Sequence, residues 1–345
     1  MKINMTPVRT SNNYGINEMN VPDEILNCKK CQFHGISFKN FEPKFDDVKE
    51  IPTKPISEKL LKNIENEKLV FNINGTNKNI FELKFNFDNE NAYCSKTVVF
   101  NIFNNANSKI VIRYQGNAKC FNYSFLKFNL LENSNAQVVV ICELDGGSSN
   151  FQNIESKLSK NAKIDIKFID FAQDYSILNY YSKLEGECSK SEIKTLYLGK
   201  DKNKIDINIF EDIFGEKCLA EIETVGALFD EAEKNFKGTI NFNKGAKKSY
   251  GNESELCLLL SKKAKSKALP MLLCTEEDVD GSHSTAVGKI GDKELFYMMS
   301  RGLTKTEALK LMIKAKFNSV LNGLFDEQLK EEILNKIDGK VNDEK

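Results

Sequence analysis

Residues 133–142 read NSNAQVVVIC, a small polar corner followed by a run of branched apolar residues. Val138, Val139, Val140 and Ile141 branch at Cβ, which stiffens χ1 and suits a pleated strand better than a helix. The same two-part phrase recurs along the chain. Upstream, NAN (105–107) precedes KIVIRY (109–114); downstream, KNAK (160–163) leads into KIDIKF (163–168), and GTINF (238–242) repeats the strand half. Further corners read GNAK (116–119), GEC (186–188) and KGAK (244–247). Several of the strand-like runs alternate polar with apolar residues, as half-buried strands do. Corner spacing drifts from roughly a dozen residues to over two dozen, so there is no strict repeat.

Proline marks the limits of this texture. Five of the six prolines lie at or before Pro55, and the sixth is Pro270. A long proline-free stretch of short strands with small corners fits a solenoid, a barrel or a sandwich. A parallel β-helix accounts for it best, because its coils tolerate insertions at the corners. The ends read as helical. Ser57 is placed to N-cap a short helix through Leu60, Leu61 and Ile64. Thr304 and Glu307 form a capping-box pair, followed by Leu309, Met312, Ile313, Phe317, Val320, Leu321 and Leu324 at helical spacing. Asp326 then caps a second helix carrying Leu329, Ile333, Leu334 and Ile337, with Gly339 as its expected stop. The expected organisation is a mainly β protein: a partly helical region over 1–66, a β-helix core over 67–290 and a helical domain over 291–345. The strands themselves are expected to run from Glu67 to about Asp280.

Bulk properties narrow the function. Lys plus Arg and Asp plus Glu number 49 each among 345 residues, giving zero net charge, which argues against nucleic acid as a partner. The N-terminus has no apolar signal-like region, and no apolar run approaches membrane-spanning length, so a cytoplasmic protein away from the membrane is expected. Nine cysteines in such a chain are expected to be reduced and mostly buried. No phosphate-cradling loop and no nucleophile elbow is present.

Two clusters carry metal-binding side chains. Cys28, Cys31 and His34 form a C-x-x-C-x-x-H run whose thiolates and imidazole suit zinc or iron; the alternative is a loop with two incidental cysteines. Glu276, Glu277, Asp278 and Asp280 lead to His283, one of only two histidines. That set suits iron, or else forms a solvated acidic turn in which His283 packs or hydrogen-bonds.

The C-terminal third carries an ordered succession: GTIN (238–241), KGA (244–246), LLLS (258–261), Pro270, EDV (277–279), SH (282–283), VGKI (287–290), LFY (295–297) and SRG (300–302). With TPVRT (6–10) and GINE (15–18) near the start, it resembles the SufB/SufD family of iron–sulfur cluster assembly scaffolds. Two departures favour the SufD branch. Ala264 stands where SufB carries its cluster-building cysteine, and Ser284 stands where SufB has a glutamate after the family histidine. Gly281 replaces a cysteine frequent in SufD relatives, and Phe210 replaces the histidine of their Asp-x-Asn-x-His segment, matched here by Asp206 and Asn208. His283 is the family site residue retained.

The resemblance implies a right-handed parallel β-helix and a non-catalytic scaffold. It implies pairing with a SufB-like paralogue through the β-helix, with a SufC-like ATPase docked on the C-terminal helices. Phe296, Tyr297, Arg301, Gly302, Thr304 and Lys305 are the expected ATPase-facing residues. The helix from Thr304 to Gly323 is expected to pack one face on the solenoid's end and leave Lys305, Lys310, Lys314 and Lys316 free. An iron–sulfur cluster would be held transiently at the SufB interface, with His283 as ligand, and reduced flavin accompanies some such complexes. The rivals are a SufB-like scaffold acting as a homodimer and a β-helix polysaccharide-active enzyme.

Overall fold

The computed structural model describes residues 1–8, 15–22, 33–61, 67–144 and 146–342. Its centre is a parallel solenoid of two facing sheets. The front sheet takes Lys68–Ile73, Thr97–Ile102, Phe121–Leu130, Ser149–Leu158, Tyr175–Leu184, Lys204–Ile213, Glu233–Phe242 and Lys265–Cys274 in that order. The back sheet takes Thr76–Phe87, Asn107–Gly116, Asn135–Glu143, Lys163–Asp170, Lys190–Gly199, Leu219–Leu228, Ser249–Leu259 and Val279–Lys289. Every coil gives one strand to each sheet, and each strand pairs in parallel with the strand of the next coil. The last back strand runs nine residues beyond the expected limit at Asp280.

The coil length is more regular than the sequence suggests. Asn107 pairs Asn135, which pairs Lys163, then Lys190, Leu219 and Tyr250. The corners named above belong to two different stacks, and mixing them hides the period. In one stack Asn105, Asn133, Asn161, Cys188, Lys217 and Lys248 all have positive φ. The Asn133 N–H donates to the Lys160 carbonyl at 3.0 Å, Asn161 to Glu187 at 2.9 Å and Cys188 to Glu216 at 2.9 Å, so each left-handed residue ties its corner to the next coil. The residue after each is small and buried: Ala106, Ser134, Ala162, Ser189, Cys218 and Ser249. Side-chain amides add a ladder, Asn129 to Asn101 and Asn101 to Asn72, both at 2.9 Å.

Both outer faces are covered. Three helices follow the solenoid: α2 (Asp292–Ser300), α3 (Lys305–Leu321) and α4 (Glu327–Asn342), after the single-turn α1 (Glu58–Leu61). Ile313, Phe317, Val320, Leu321, Ile333 and Ile337 pack on Val139, Ile141, Ile169, Leu196, Leu198 and Val225 of the back sheet. Each such side chain contributes about 1.5–3 kcal/mol on full burial. The helices therefore lie along the flank of the solenoid and do not sit on its end, because the outward apolar stripe of these four consecutive back strands is what their apolar faces match. Arg113 adds a bidentate pair to Glu332 at 2.7 and 2.8 Å. Thr304 and Glu307 do form the capping box, and Asp326 Oδ1 accepts from the Gln328 and Leu329 N–H groups. Gly339 is no stop: α4 continues through it to Asn342, since Ile337 and Val341 on either side are buried.

Among its described residues the N-terminal region is a strap that ends in the single-turn α1. Ile3, Met19, Val21, Ile56 and Leu60 cover Tyr93, Phe121, Tyr123, Phe151 and Ile177 on the front sheet. Asn4 donates to Asp206 Oδ1 at 2.7 Å, and Lys237 donates to the Asn4 carbonyl at 2.8 Å.

The two ends differ. At the first coil, Ile36–Lys39 and Lys44–Asp46 add antiparallel strands to the back and front sheets, and Phe41 packs at a tilt on Phe71, ring centres 4.3 Å apart. At the last coil, Lys265–Cys274 and Val279–Lys289 are outermost; the first is mostly half-buried and the second largely exposed.

Candidate functional site

His283 lies on this bare last strand, not in the acidic turn that precedes it. The turn is closed without it: the Gly245 N–H donates to Glu276 Oε2 at 2.9 Å, and the Cys274 thiol lies 2.8 Å from the Glu276 carbonyl. Backbone donors, the Gly245 N–H first and then those of Asp278 and Glu277, hold the Glu276 carboxyl below its ordinary value. The facing direction of His283 follows from its neighbour. A Cβ on Gly281 would lie 3.1 Å from the Phe242 ring and 3.4 Å from Leu272, so position 281 points into the solenoid. Position 283, two residues on, points the same way. It is exposed only because no further coil covers it.

One coil below, the interior is polar. Glu253 pairs His283 in register and is fully buried, and neither carboxylate oxygen has a hydrogen-bond partner. Burial, reinforced by the charge of Glu255, pushes the Glu253 carboxyl up to about 8, with the Met271 backbone pulling the other way. Gly238 makes room for it: a Cβ there would fall 2.0 Å from Glu253 Oε1. Beside it Glu255 is ion-paired with Lys234, both fully buried, and the Lys234 ammonium lies 5.6 Å from the Phe236 ring centre. Deeper still, Glu211 accepts from Ser191 at 2.9 Å, and burial raises its carboxyl to about 8. Sequence reading missed all of these groups. NESELC (252–257) alternates like a solvated strand, and nothing in it says which parity faces inward.

The expected ATPase-facing residues do come together, on an element the sequence reading did not recognise as a helix. On α2, Phe296 is 73% and Tyr297 58% exposed, and no residue of this helix is buried. Arg301 donates to the Tyr297 hydroxyl at 3.2 Å and stacks 5.3 Å from its ring centre. Gly302 takes φ +96° to turn the chain, and Thr304 caps α3, with Lys305 exposed at its start. Of the four α3 lysines expected to be free, Lys314 pairs with Asp338 at 2.6 Å. Cys28 and Cys31 lie outside the described residues; His34 is exposed near the capped end, its backbone N–H donating to Asn91 at 2.9 Å. Among the described residues no three His, Cys, Asp or Glu side chains converge in metal-holding geometry. The seven described cysteines are free thiols, and Cys274 is the exposed one. No helix among the described residues is long and apolar enough to cross a membrane.

A solenoid with this C-terminal motif succession is matched by one family. Residues 85–316 match the SUF system FeS cluster assembly, SufBD core domain. The chain belongs to the SufBD family. Within it the resemblance is to SufD: the chain is 31% identical over 160 residues to the iron–sulfur cluster assembly protein SufD of Bacillus subtilis, and 29% identical over 159 residues to SufD of Escherichia coli. A SufBD family protein of Pyrococcus horikoshii is 32% identical over 139 residues. Those matches cover 46%, 46% and 40% of this chain, but only 37%, 38% and 31% of the relatives. The SufBD chain is thus matched over well under half the length of these relatives.

Proposed function

We propose that this chain is a non-catalytic scaffold subunit of a SUF-type iron–sulfur cluster assembly complex, working in the cytoplasm. It pairs through the bare end of its solenoid with a SufB-like paralogue and docks a SufC-like ATPase on its C-terminal region. The observation that carries this reading is the asymmetry of the solenoid. Two outermost parallel strands with unpaired backbone groups are a template for pairing with another chain, and native proteins blunt such edges unless they are used. The other end of this solenoid is blunted. In this reading 67–290 is the pairing unit and 291–345 the docking unit.

The cluster is cargo held transiently at the paired rims, with His283 as this chain's ligand. An imidazole there is accessible to solvent, and imidazole nitrogen is a ligand that iron accepts. Reduced flavin would serve the assembled complex and is not assigned to residues of this chain. The ATPase-docking surface is the knob of Phe296, Tyr297, Arg301, Gly302, Thr304 and Lys305. On the α3 face expected for that role Lys314 is held by Asp338, which shifts the dock towards α2. Nucleotide-driven movement of that unit against the solenoid would open the rim, a hinge change biased by differential binding.

The test is co-purification of the tagged full chain with its SufB-like paralogue and SufC-like ATPase. A stable three-component complex that loses only the ATPase when Phe296→Ala and Tyr297→Ala are combined supports the reading. A chain that purifies alone as a homodimer through the rim sinks the heteromeric form of it. Retention of the ATPase by the double variant moves the dock elsewhere.

A further inference from the structure

We propose that Glu253 and His283 together form a divalent-cation site inside the mouth of the solenoid, with Glu253 supplying an oxygen ligand from one coil below the rim. This deepens the assembly reading of the rim and rests on it. Three independent features of the fold lead there.

The first is register. Glu253 and His283 are direct partners on adjacent parallel strands. Such positions lie about 4.8 Å apart and present their side chains to the same face. Oxygen and nitrogen ligands each reach a divalent cation at about 2.0–2.2 Å, so a carboxylate and an imidazole at paired ladder positions can share one ion. Carboxylate with imidazole is a donor set that iron accepts.

The second is the unmet demand of Glu253. Its side chain is wholly buried and both oxygens lack a hydrogen-bond partner. A buried carboxyl with no partner costs folding free energy, and one retained in that state points to a ligand absent from the isolated chain. Glu255, two residues on and facing the same interior, already has its counter-ion in Lys234. The unmet group is therefore Glu253.

The third is space and access. Gly238 leaves the opposite wall without a side chain where the Glu253 carboxyl lies. The coil above is the last, so His283 and Thr285 are exposed and the path from solvent to Glu253 passes His283. This chain supplies two ligands; water, or the partner rim in the assembled complex, supplies the others.

The experiment uses the full chain and cobalt(II) as a spectroscopic probe, titrated anaerobically while the ligand-field bands are followed. One equivalent should bind to the wild type. Glu253→Gln keeps the size of the side chain and removes the carboxyl that gives up its proton to a bound cation; it should weaken binding at least tenfold, with an unfolding midpoint no lower than that of the wild type. His283→Ala, on the exposed rim, should weaken binding comparably without affecting folding. Equal affinity in wild type and Glu253→Gln overturns the proposal, as does a wild-type chain that binds no cobalt. Should Glu253→Gln fail to fold, Glu253→Asp, which withdraws the carboxylate by one methylene, takes its place with the same two outcomes. Co-purification of Glu253→Gln with the SufB-like paralogue separates the two ideas. Pairing retained with cobalt binding lost supports this site; pairing absent even in the wild type defeats the rim reading itself.

Discussion

The two ends of the solenoid are built from different materials. In the first coils the interior is an aromatic stack: Phe71 to Phe100 at 5.2 Å, Phe100 to Phe128 at 5.0 Å and Phe85 to Tyr114 at 4.6 Å. Phe33 packs on Phe87 at 4.9 Å, and two antiparallel strands close the edge. In the last coils the interior carries Glu211, Lys234, Glu253 and Glu255, all buried, and the edge strands are bare. The first end is apolar and closed; the second retains buried ionisable groups that weaken a core and a surface that invites a partner. Stability is thus concentrated away from the end where the structure is free to bind, as expected when low-stability elements do the binding.

The sharpest way to break this contrast is to blunt the bare end. Replacing Thr285 and Val287 together by Lys puts two cations on the rim, a device edge strands use against pairing. Affinity for the SufB-like paralogue should fall about 100-fold, near 2.7 kcal/mol, by calorimetric titration. The same charge placed on exposed Phe38 and Phe45 at the capped end should leave affinity unchanged. Equal losses from both pairs would erase the distinction between the ends.

Stability should respond in the opposite sense. Phe33→Ala in the capped end should cost about 3 kcal/mol in urea denaturation, since it empties a buried aromatic site. Val287→Ala on the rim, where the side chain is 45% exposed, should change stability by under about 0.5 kcal/mol. A comparable loss at Val287 would mean that the rim is part of the stabilising core.

The polar interior predicts a pH slope. Burial raises the Glu211 carboxyl to about 8 from an ordinary 4.5, so the folded state keeps a proton that the unfolded chain releases. Stability is then fullest below about pH 4.5 and declines as pH climbs towards 8, each shifted unit being worth about 1.4 kcal/mol. Glu211→Gln should flatten that decline. A pH-independent wild type between 5 and 8 would show that Glu211 is not neutral in the fold.

The smallest expected effects lie at the corners. Those nearer the capped end use Asn105, Asn133 and Asn161 at positive φ; those nearer the bare end use Cys188, Lys217 and Lys248. Asparagine tolerates the left-handed region and lysine does not. Lys217→Gly should therefore stabilise by about 0.5–1 kcal/mol, and Asn161→Ala should destabilise by about 1 kcal/mol, read by thermal unfolding. A destabilising Lys217→Gly would place its value in the pair with Glu187 at 2.9 Å.

Much of this was legible in the chain itself. Branched runs such as VVVI (138–141) between small polar corners specify strands, because side-chain shape and turn chemistry act locally. Thr304, Glu307 and Asp326 specified helix starts for the same reason, and the motif succession from GTIN (238–241) to SRG (300–302) carried the family. Other features needed the folded molecule. The coil period emerged only when corners were sorted into two stacks, a matter of which turns lie above one another. Gly339 lost its expected role as a stop because burial of Ile337 and Val341 against the flank outweighs a local propensity of about 1 kcal/mol. The unmet carboxyl of Glu253 and its place beneath His283 depend on strand register and on which face points inward. Residues thirty positions apart in sequence meet there through backbone hydrogen bonds between coils, and a shift of one residue in that pairing would turn the pair to opposite faces.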